Sequence, residues 1–475
     1  MAVKIGTKGK DRLKGTNKAD VIFGDPYTGG NTFSNEYDVD KKGGLLKQSA
    51  ADDIILGRGQ ADWLAGDAWK ISSGGKGGND TISGGGGGDD LFGDAYYMNG
   101  NAKGGNDKLG GGKGQDFLLG DASQMWDQAR GGDDDLKGGT ESDDLLGDTW
   151  HLKDKARGGD DKLSGGGKTD DIWGDALTMK SKTKGGDDNA NGGANDDSLV
   201  GDASSMKGGA RGGDDKLDGG ADDDEVYGDA LALVDDSRGG NDIVKGGDGK
   251  DEAFGDASSM NGNAVGGNDK VSGGDGPDSV YGDAFNMKQN VKGGDDDVMG
   301  GAGNDKLSGD AGRMSGNAKG GDDKIDGGSG KDQAFGDAEF MEDNSRGGDD
   351  EVFGGAGDDK LFGDAEEMKE RTIAGNDKIT GGEGNDILYG DAKKITKNVT
   401  TGADTFFFAE GSGNDTIGDF EVGKDKIDLT GYADIEAGDI VLDVSDGDTF
   451  VDLGGSNSIL FKDVELDNTS DFIFA

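Results

Sequence analysis

A phrase of 27 residues recurs through most of this 475-residue chain, and its fixed period constrains the fold more than any other feature. The stretch Gly363 to Tyr389, GDAEEMKERTIAGNDKITGGEGNDILY, is a representative copy. Such a period is typical of repeat proteins, in which each unit buries its apolar face against its neighbours. A Gly-Asp pair followed by Ala or Thr opens every copy, and its aspartates are Asp67, Asp94, Asp121, Asp148, Asp175, Asp202, Asp229, Asp256, Asp283, Asp310, Asp337, Asp364 and Asp391.

The composition argues against an ordinary globular core. The chain contains 100 glycines and 2 prolines, and only 31% of its residues are hydrophobic. Lys and Arg number 50 against 99 for Asp and Glu, and the formal net charge of −49 opposes any compact state unless bound cations neutralise it. The acids are in phase with the repeat, which disfavours a solvated acidic tail. The same charge disfavours nucleic acid as a partner.

The chain has no cysteine, which excludes disulfides and cysteine-based zinc sites. Its first 20 residues contain no apolar run like that of a signal peptide, and no segment approaches the roughly 20 apolar residues of a membrane span. We therefore expect either a cytoplasmic protein or one exported without a cleaved leader.

The repeats divide the chain into four predicted regions. Residues 1–23 contain the first repeats, the nine-residue units GTKGKDRLK and GTNKADVIF. Residues 24–47 carry 15 extra residues, which we interpret as a surface loop or N-terminal cap. Residues 48–407 form one continuous array, and residues 408–475, the most apolar stretch, are predicted to form a small β cap.

Each phrase consists of three nines. The last nine, such as GGEGNDILY, places Asp at its sixth and an aliphatic residue at its eighth position, as expected of a turn followed by a short strand. The middle nine, such as AKGGNDKLG, has the same two positions. The first nine, such as GDAYYMNGN, lacks that Asp, and nine of the 11 methionines lie in it. Its glycines favour an extended side with Met facing inward over a single helical turn. The Asp of its Gly-Asp pair either pairs with the base before the middle glycine pair, such as Arg346, or leaves that base solvated.

Stacking favours one coil per 27 residues. A shorter coil would alternate Asp-bearing and Met-bearing nines in one column, whereas a 27-residue coil stacks like residues on like. The sequence therefore predicts an all-β fold, a parallel β-roll or β-solenoid with three nonapeptide-length sides and a small C-terminal β cap.

In this arrangement the sixth-position aspartates form two columns of carboxylates about 5 Å apart, which repel unless a divalent cation lies between them. Calcium suits such a site better than magnesium, because it accepts six to eight oxygens, backbone carbonyls included, and on the order of two dozen Ca2+ would nearly cancel the charge. The middle-nine column is Asp53, Asp80, Asp107, Asp134, Asp161, Asp188, Asp215, Asp242, Asp269, Asp296, Asp323, Asp350, Asp377 and Asp404. The last-nine column is Asp20, Asp62, Asp89, Asp116, Asp143, Asp170, Asp197, Asp224, Asp251, Asp278, Asp305, Asp332, Asp359, Asp386 and Asp415.

The phrases GGEGNDILY, GGAGNDKLS and GGAGDDKLF resemble the glycine- and aspartate-rich nonapeptide of the RTX, or haemolysin-type calcium-binding, family. The resemblance implies a parallel β-roll with calcium in its turns, export by a type I secretion apparatus, and folding in extracellular calcium. It also implies that the sixth-position aspartates are the calcium ligands. The first nine departs from the motif, and the resemblance assigns no ligand there.

The C-terminal region is similar to that of serralysin-type secreted proteins. The resemblance rests on three motifs, ADTFFF at Ala403 to Phe408, GSGNDTIGDF at Gly411 to Phe420 and KDKIDL at Lys424 to Leu429. The end, DFIFA at Asp471 to Ala475, resembles their uncleaved secretion signals and is equally compatible with a last strand of the cap.

The sequence contains one histidine, His151, and no metalloprotease, nucleophile-elbow or P-loop motif, so we expect no enzyme activity. We expect a secreted, extracellular or cell-surface calcium-binding structural protein that self-associates as a surface-layer, filament or matrix component. Two alternatives remain: a calcium-dependent export and folding module serving a separate enzyme, and an adhesin or an ice- or polysaccharide-binding rod that contacts cell-surface polysaccharide.

Overall fold

The computed structural model describes residues 3–7, 9–24, 45–46 (backbone only) and 49–475, and these residues form short β-strands and turns without a helix. Most of the predicted insertion at 24–47 lies outside them. The chain divides into two compact units, Met1–Gly240 and Asn241–Ala475. Each unit contains three sheets of parallel strands, named here after the nine that supplies them, which confirms the predicted all-β parallel solenoid.

From Leu45–Leu46 onward, the strands of the first unit follow one another along the chain in a repeating order of first, middle and last nine. Its last-nine sheet contains Val3–Ile5, Val21–Phe23, Trp63–Ala65, Asp90–Phe92, Phe117–Leu119, Asp144–Leu146, Asp171–Trp173, Ser198–Val200 and Glu225–Tyr227. Its middle-nine sheet contains Arg12–Lys14, Ile54–Leu56, Thr81–Gly86, Lys108–Lys113, Asp135–Gly139, Lys162–Gly167, Asn189–Ala194 and Lys216–Ala221. Its first-nine sheet contains Leu45–Leu46, Lys70–Ser72, Ala95–Asn99, Ala122–Met125, Thr149–Leu152, Ala176–Lys180, Ala203–Lys207 and Ala230–Asp235.

The second unit repeats this plan. Its last-nine sheet contains Glu252–Phe254, Ser279–Tyr281, Lys306–Ser308, Gln333–Phe335, Lys360–Phe362, Ile387–Tyr389 and Asn414–Ile417, extended by Leu442–Ser445, Asp448–Gly454 and Asn457–Phe461. Its middle-nine sheet contains Ile243–Asp248, Lys270–Asp275, Asp297–Gly303, Lys324–Gly330, Glu351–Ala356, Lys378–Glu383, Thr405–Ala409, Lys426–Gly431 and Phe472–Ile473. Its first-nine sheet contains Ala257–Gly262, Ala284–Gln289, Ala311–Gly316, Ala338–Met341, Ala365–Met368 and Ala392–Ile395.

The register of the parallel pairs confirms the 27-residue coil. Leu109 pairs with Leu136 in the middle-nine sheet, and Met98 pairs with Met125 in the first-nine sheet. Because equivalent residues face each other across every pair, each column keeps one chemical character along the sheet.

Three apolar columns fill the interior of each coil. In one coil of the second unit these are Val298 of the middle nine, Leu307 of the last nine and Met314 of the first nine, all 0% exposed. The first nine is a regular strand, as its extended interpretation predicted, and its methionines lie inward.

Truncation of one interior methionine is expected to destabilise the protein strongly. Met287 is fully buried, so Met287→Ala should lower the unfolding free energy by about 2–5 kcal/mol through lost contacts and the cavity left behind. Met287→Leu should cost less than about 1.5 kcal/mol, since Leu152 and Leu233 occupy this column naturally. Urea denaturation measures both changes. Met299, 38% exposed, supplies the control, and Met299→Ala should change the unfolding free energy little. Equal losses at both positions would contradict the buried column.

The C-terminal region adds an antiparallel hairpin to the parallel sheet. Leu442–Ser445 pairs with Asp448–Gly454, which pairs with Asn457–Phe461, and the last of these pairs in parallel with Asn414–Ile417. The final strand, Phe472–Ile473, pairs with Lys426–Gly431, so the chain end is part of this cap. Its role as an export signal stays a prediction.

Candidate metal centres

All predicted sixth-position aspartates lie inside the coils, each at most 3% exposed. They are joined by one recurring hydrogen bond. The backbone N–H of Asp305 donates to Oδ1 of Asp332 at 2.8 Å, and that of Asp332 donates to Oδ1 of Asp359 at 2.9 Å. The ladder continues through altered spacing, since Asp20 N–H donates to Asp62 and Asp386 N–H donates to Asp415. In each of these hydrogen bonds, Oδ1 of the aspartate is held in place by a backbone N–H of the preceding coil.

In most of these carboxylates the second oxygen is buried and receives no hydrogen bond. A buried carboxylate oxygen without a donor costs free energy unless a cation binds it. In the last-nine column this is Oδ2 of Asp62, Asp89, Asp116, Asp143, Asp170, Asp197, Asp305, Asp332, Asp359, Asp386 and Asp415. In the middle-nine column it is Oδ2 of Asp107, Asp134, Asp161, Asp188, Asp269, Asp296, Asp323, Asp350, Asp377 and Asp404.

Backbone carbonyls converge with these oxygens at glycines of the turns. A Cβ built on Gly354 would lie 2.5 Å from the Gly381 carbonyl oxygen and 2.6 Å from Asp359 Oδ2. A Cβ built on Gly327 would lie 2.4 Å from the Gly354 carbonyl oxygen. Calcium accepts backbone carbonyls beside carboxylates as ligands, so the types of oxygen grouped at these turns fit calcium.

Among the residues that the structure describes, no three acidic or histidine side chains converge as a metal-binding group. An ion in these columns would therefore need the turn carbonyls as ligands in addition to the carboxylates. Ligation by the individual aspartates remains a prediction.

The electrostatics of both columns favour a bound cation. Burial raises the pKa of Asp116, Asp170 and Asp197 to about 7. Burial and the neighbouring carboxylates raise the pKa of Asp161 and Asp188 well above the usual range. The ionised, desolvated carboxylates are thus unfavourable by themselves. A divalent ion between them would replace their repulsion by attraction.

Comparison with protein families identifies the repeat. The family described as RTX calcium-binding nonapeptide repeat (4 copies) matches residues 5–26, 75–95 and 101–123. The family described as Peptidase M10 serralysin C terminal matches residues 187–455, more than half of the chain. The chain belongs to the Peptidase M10 serralysin C terminal family and carries RTX calcium-binding nonapeptide repeats. No curated protein matches it. As an RTX protein it is a calcium-binding β-solenoid, and the serralysin match concerns the C-terminal part of those peptidases.

The RTX nonapeptide accounts for the first nine. The first nine is an excursion of the chain, in which nine additional residues are inserted in one nonapeptide turn. In the last-nine turn a Cβ on Gly111 would lie 2.4 Å from Asp116 Oδ2. In the connection that contains the first nine, a Cβ on Gly120 would lie 2.0 Å from Asp134 Oδ2, although 14 residues separate the two instead of five. The two turns therefore have the same construction, and one carries nine extra residues.

The excursion closes on itself and forms a lobe, defined as the residues between each Gly-Asp pair and the following glycine pair. In one coil the strand Ala122–Met125 follows the Gly-Asp pair, and after it the Ala129 N–H donates to the Trp126 carbonyl at 3.3 Å in a turn. The Gly132 N–H then donates to Oδ2 of Asp121 at 3.0 Å and closes the base of the lobe.

The first coil supports this description. Val3 pairs with Val21 in register, a separation of 18 residues, which is two nonapeptides without a first nine. The solenoid therefore accommodates a coil that lacks the lobe.

Sequence reasoning missed several residues of the columns. Asp11 begins the middle-nine ladder by donating its N–H to Asp53, and Asp425 extends the ladder by accepting from the Asp404 N–H at 3.1 Å. The Asp of KDKIDL was a usable signal, but it lies 21 residues after Asp404, outside the 27-residue period. Near the last strand, the Asp471 carboxylate instead lies 2.6 Å from the Lys426 ammonium, which supplies positive charge there.

Neighbouring turns approach so closely that one added methyl group is expected to lower the unfolding free energy strongly. A Cβ on Gly321 would lie 1.5 Å from the Gly294 carbonyl oxygen, so Gly321→Ala must push two coils apart. We expect a loss of about 3 kcal/mol or more in unfolding free energy, measured by urea denaturation in calcium. Gly438, with no atom within 4 Å of its Cβ position, is the matched control, and Gly438→Ala should stay within about 0.5 kcal/mol of the parent. A neutral Gly321→Ala would contradict the turn packing.

Proposed function

We propose that this RTX protein is a secreted, non-enzymatic structural protein, exported unfolded by a type I secretion apparatus and folded by extracellular calcium. The observation that carries the proposal is the row of buried Oδ2 atoms without donors in both aspartate columns. A chain with formal charge −49 has no compact state of low energy until cations occupy these columns. The acids recur alike in every coil, which favours a structural role over catalysis.

We further propose that the folded chains assemble on the cell surface or in an extracellular matrix. A row of exposed carboxylates supports this: Asp322 N–H donates to Asp295, and Asp349 N–H donates to Asp322, so exposed acids stand in one line along the second unit. Calcium shared between two such lines would join neighbouring molecules laterally. In the part of the chain that the structure describes, no helix has the length and apolarity needed to cross a membrane.

Electron microscopy and sedimentation over a concentration series in calcium test assembly. We expect sheets, filaments or lateral bundles that dissolve in chelator. Monomers at every concentration would exclude the assembly role and leave calcium-dependent folding intact. An export module for a separate enzyme would instead bind that enzyme and remain monomeric alone.

A cluster of aromatic rings favours polysaccharide binding as a second candidate. All five tryptophans of the chain lie in the first unit. The Trp69 and Tyr96 rings stack at 4.4 Å, and the Trp150 ring, 38% exposed, lies 5.3 Å from that of Phe117. Partly exposed aromatic faces with polar edges suit contact with sugar rings.

Binding to insoluble polysaccharides tests this candidate. Trp150→Ala should weaken retention at least about fivefold, whereas Phe285→Ala, which truncates a slightly more exposed ring of the second unit, should leave it unchanged. Equal retention of both variants and the parent would exclude the aromatic cluster as the binding surface.

A further inference from the structure

The carboxylates of the Gly-Asp pairs, which lie at the base of the lobes, have no assigned role. In the second unit Asp283, Asp310, Asp337 and Asp364 are each 0% exposed. The bases that precede the glycine pairs, among them Lys319, are exposed at the surface. The burial of these carboxylates thus calls for a partner inside the coil.

One oxygen of each carboxylate is accounted for and the other is not. Oδ1 of Asp310 accepts from the Gly321 N–H at 3.0 Å, and Oδ1 of Asp337 accepts from the Gly348 N–H at 2.8 Å. Oδ2 of each is fully buried and receives no hydrogen bond, as is Oδ2 of Asp364. These oxygens are acceptors fixed in place without a donor, the condition in which a buried carboxylate is least stable.

Consecutive Gly-Asp carboxylates converge on the same points. The Cβ position of Gly320 lies 2.1 Å from Asp310 Oδ2 and 2.4 Å from Asp337 Oδ1. The Cβ position of Gly347 lies 2.0 Å from Asp337 Oδ2 and 2.5 Å from Asp364 Oδ1. Oxygens of two carboxylates from adjacent coils thus lie close together against each of these glycines, and the arrangement repeats along the unit.

Two ionised carboxylates at this separation repel strongly in a buried site. They must share either a proton or a cation. A cation is the better match, since the neighbouring middle-nine column already requires one per coil.

We propose that the Gly-Asp carboxylates form a third row of calcium ligands, in which each ion is held between the aspartates of two consecutive coils. The inference rests on the calcium binding proposed above and extends it to the turn that carries the lobe. The Gly-Asp aspartate occupies the turn position at which the last nine has a glycine; in the first unit, for example, Asp121 corresponds to Gly112. The aspartate thereby adds a row of ions at this position of the turn.

Calcium counting on two matched variants tests the third row. The first variant carries Asp310→Asn, Asp337→Asn and Asp364→Asn, which keep an oxygen for the glycine N–H groups. The second carries Asp326→Asn, Glu351→Gln and Glu370→Gln, which remove the same charge from exposed positions of the same region, outside the line of exposed acids proposed above to share calcium between molecules. Both are equilibrated with calcium, freed of excess ion and analysed for bound metal.

We expect the first variant to lose about two to four Ca2+ per chain, because its substitutions affect four consecutive pairs, and the second to match the parent. An unchanged count in a folded first variant would overturn the third row alone. A parent that binds no calcium would overturn the proposed function instead.

Infrared spectroscopy of the parent protein provides a second test, which does not depend on whether the triple variant folds. It measures whether the buried carboxyl groups are protonated. In saturating calcium at neutral pH, we expect no absorption from buried protonated carboxylic acids. A protonated-carboxyl band that disappears in Asp337→Asn would mean that these aspartates share protons, and it would overturn the proposal.

Discussion

Dialysis against a calcium chelator at neutral pH is expected to convert the protein into an expanded chain without regular β structure. The two aspartate columns place carboxylates such as Asp332 and Asp359 one above the other inside the coils, each with a buried oxygen that has no donor. Without cations this arrangement adds to the repulsion from a formal charge of −49, and the 31% of hydrophobic residues cannot compensate. Far-UV circular dichroism and the hydrodynamic radius measure the change.

Readdition of calcium should restore the β spectrum and the compact radius, and magnesium at the same concentration should not. Magnesium requires a near-octahedral shell at about 2.0–2.1 Å and releases its waters reluctantly, which the spread of carbonyls and carboxylates in these turns does not match. A chain that stays folded in chelator, or that magnesium folds equally well, would contradict calcium as the structural ion.

Acidification of the calcium-free chain is expected to restore part of its compactness. Burial raises the pKa of Asp170 and Asp197 to about 7 in the folded state, above the ordinary value of about 4. Between these values the folded state binds more protons than the unfolded state, so its stability rises as the pH falls from about 7 to about 4 and is lost as the pH rises again. Circular dichroism in chelator at about pH 8 and about pH 5 should therefore show more β structure at the lower pH.

Salt provides the control for this pH effect. Screening by salt at about pH 8 weakens repulsion among exposed charges but leaves buried carboxylates ionised and unpaired. Salt alone should therefore give less β structure than acid. Equal folding by salt would assign the effect to general charge repulsion, and an absence of folding at low pH would contradict the burial of these aspartates in the calcium-free chain.

Much of the architecture follows from the sequence because identical spacing forces identical stacking. The period alone predicts that Met314 stacks on Met341 and that Asp332 stacks on Asp359, and both are found in register or in one hydrogen-bonded column. The aliphatic eighth position and the inward Met follow from the same alignment.

The base of the lobe could not be predicted in this way. The partner of Asp337 is the N–H of a glycine 11 residues later, and its carboxylate neighbour belongs to another coil. Linear spacing does not reveal that nine residues leave a turn and return to it. The aromatic cluster was missed although Trp69 and Tyr96 are one 27-residue period apart, so the alignment that stacks Met on Met also predicts this ring pair.

A change of period hid the end of the middle-nine column, Asp425, whereas Asp415 at the end of the last-nine column was predicted despite its shift. Asp415 follows Asp386 by 29 residues, and Asp425 follows Asp404 by 21, yet both accept the same backbone hydrogen bond as the regular members. Backbone pairing preserves the ladder where the sequence period does not.

Diffraction from calcium-loaded crystals, with anomalous differences measured for calcium, tests the central claim most directly. The account predicts rows of anomalous peaks between consecutive aspartates of each nonapeptide column, for example between Asp332 and Asp359, in contact with their Oδ2 atoms and with turn carbonyls. Folded coils without peaks in these columns would contradict it.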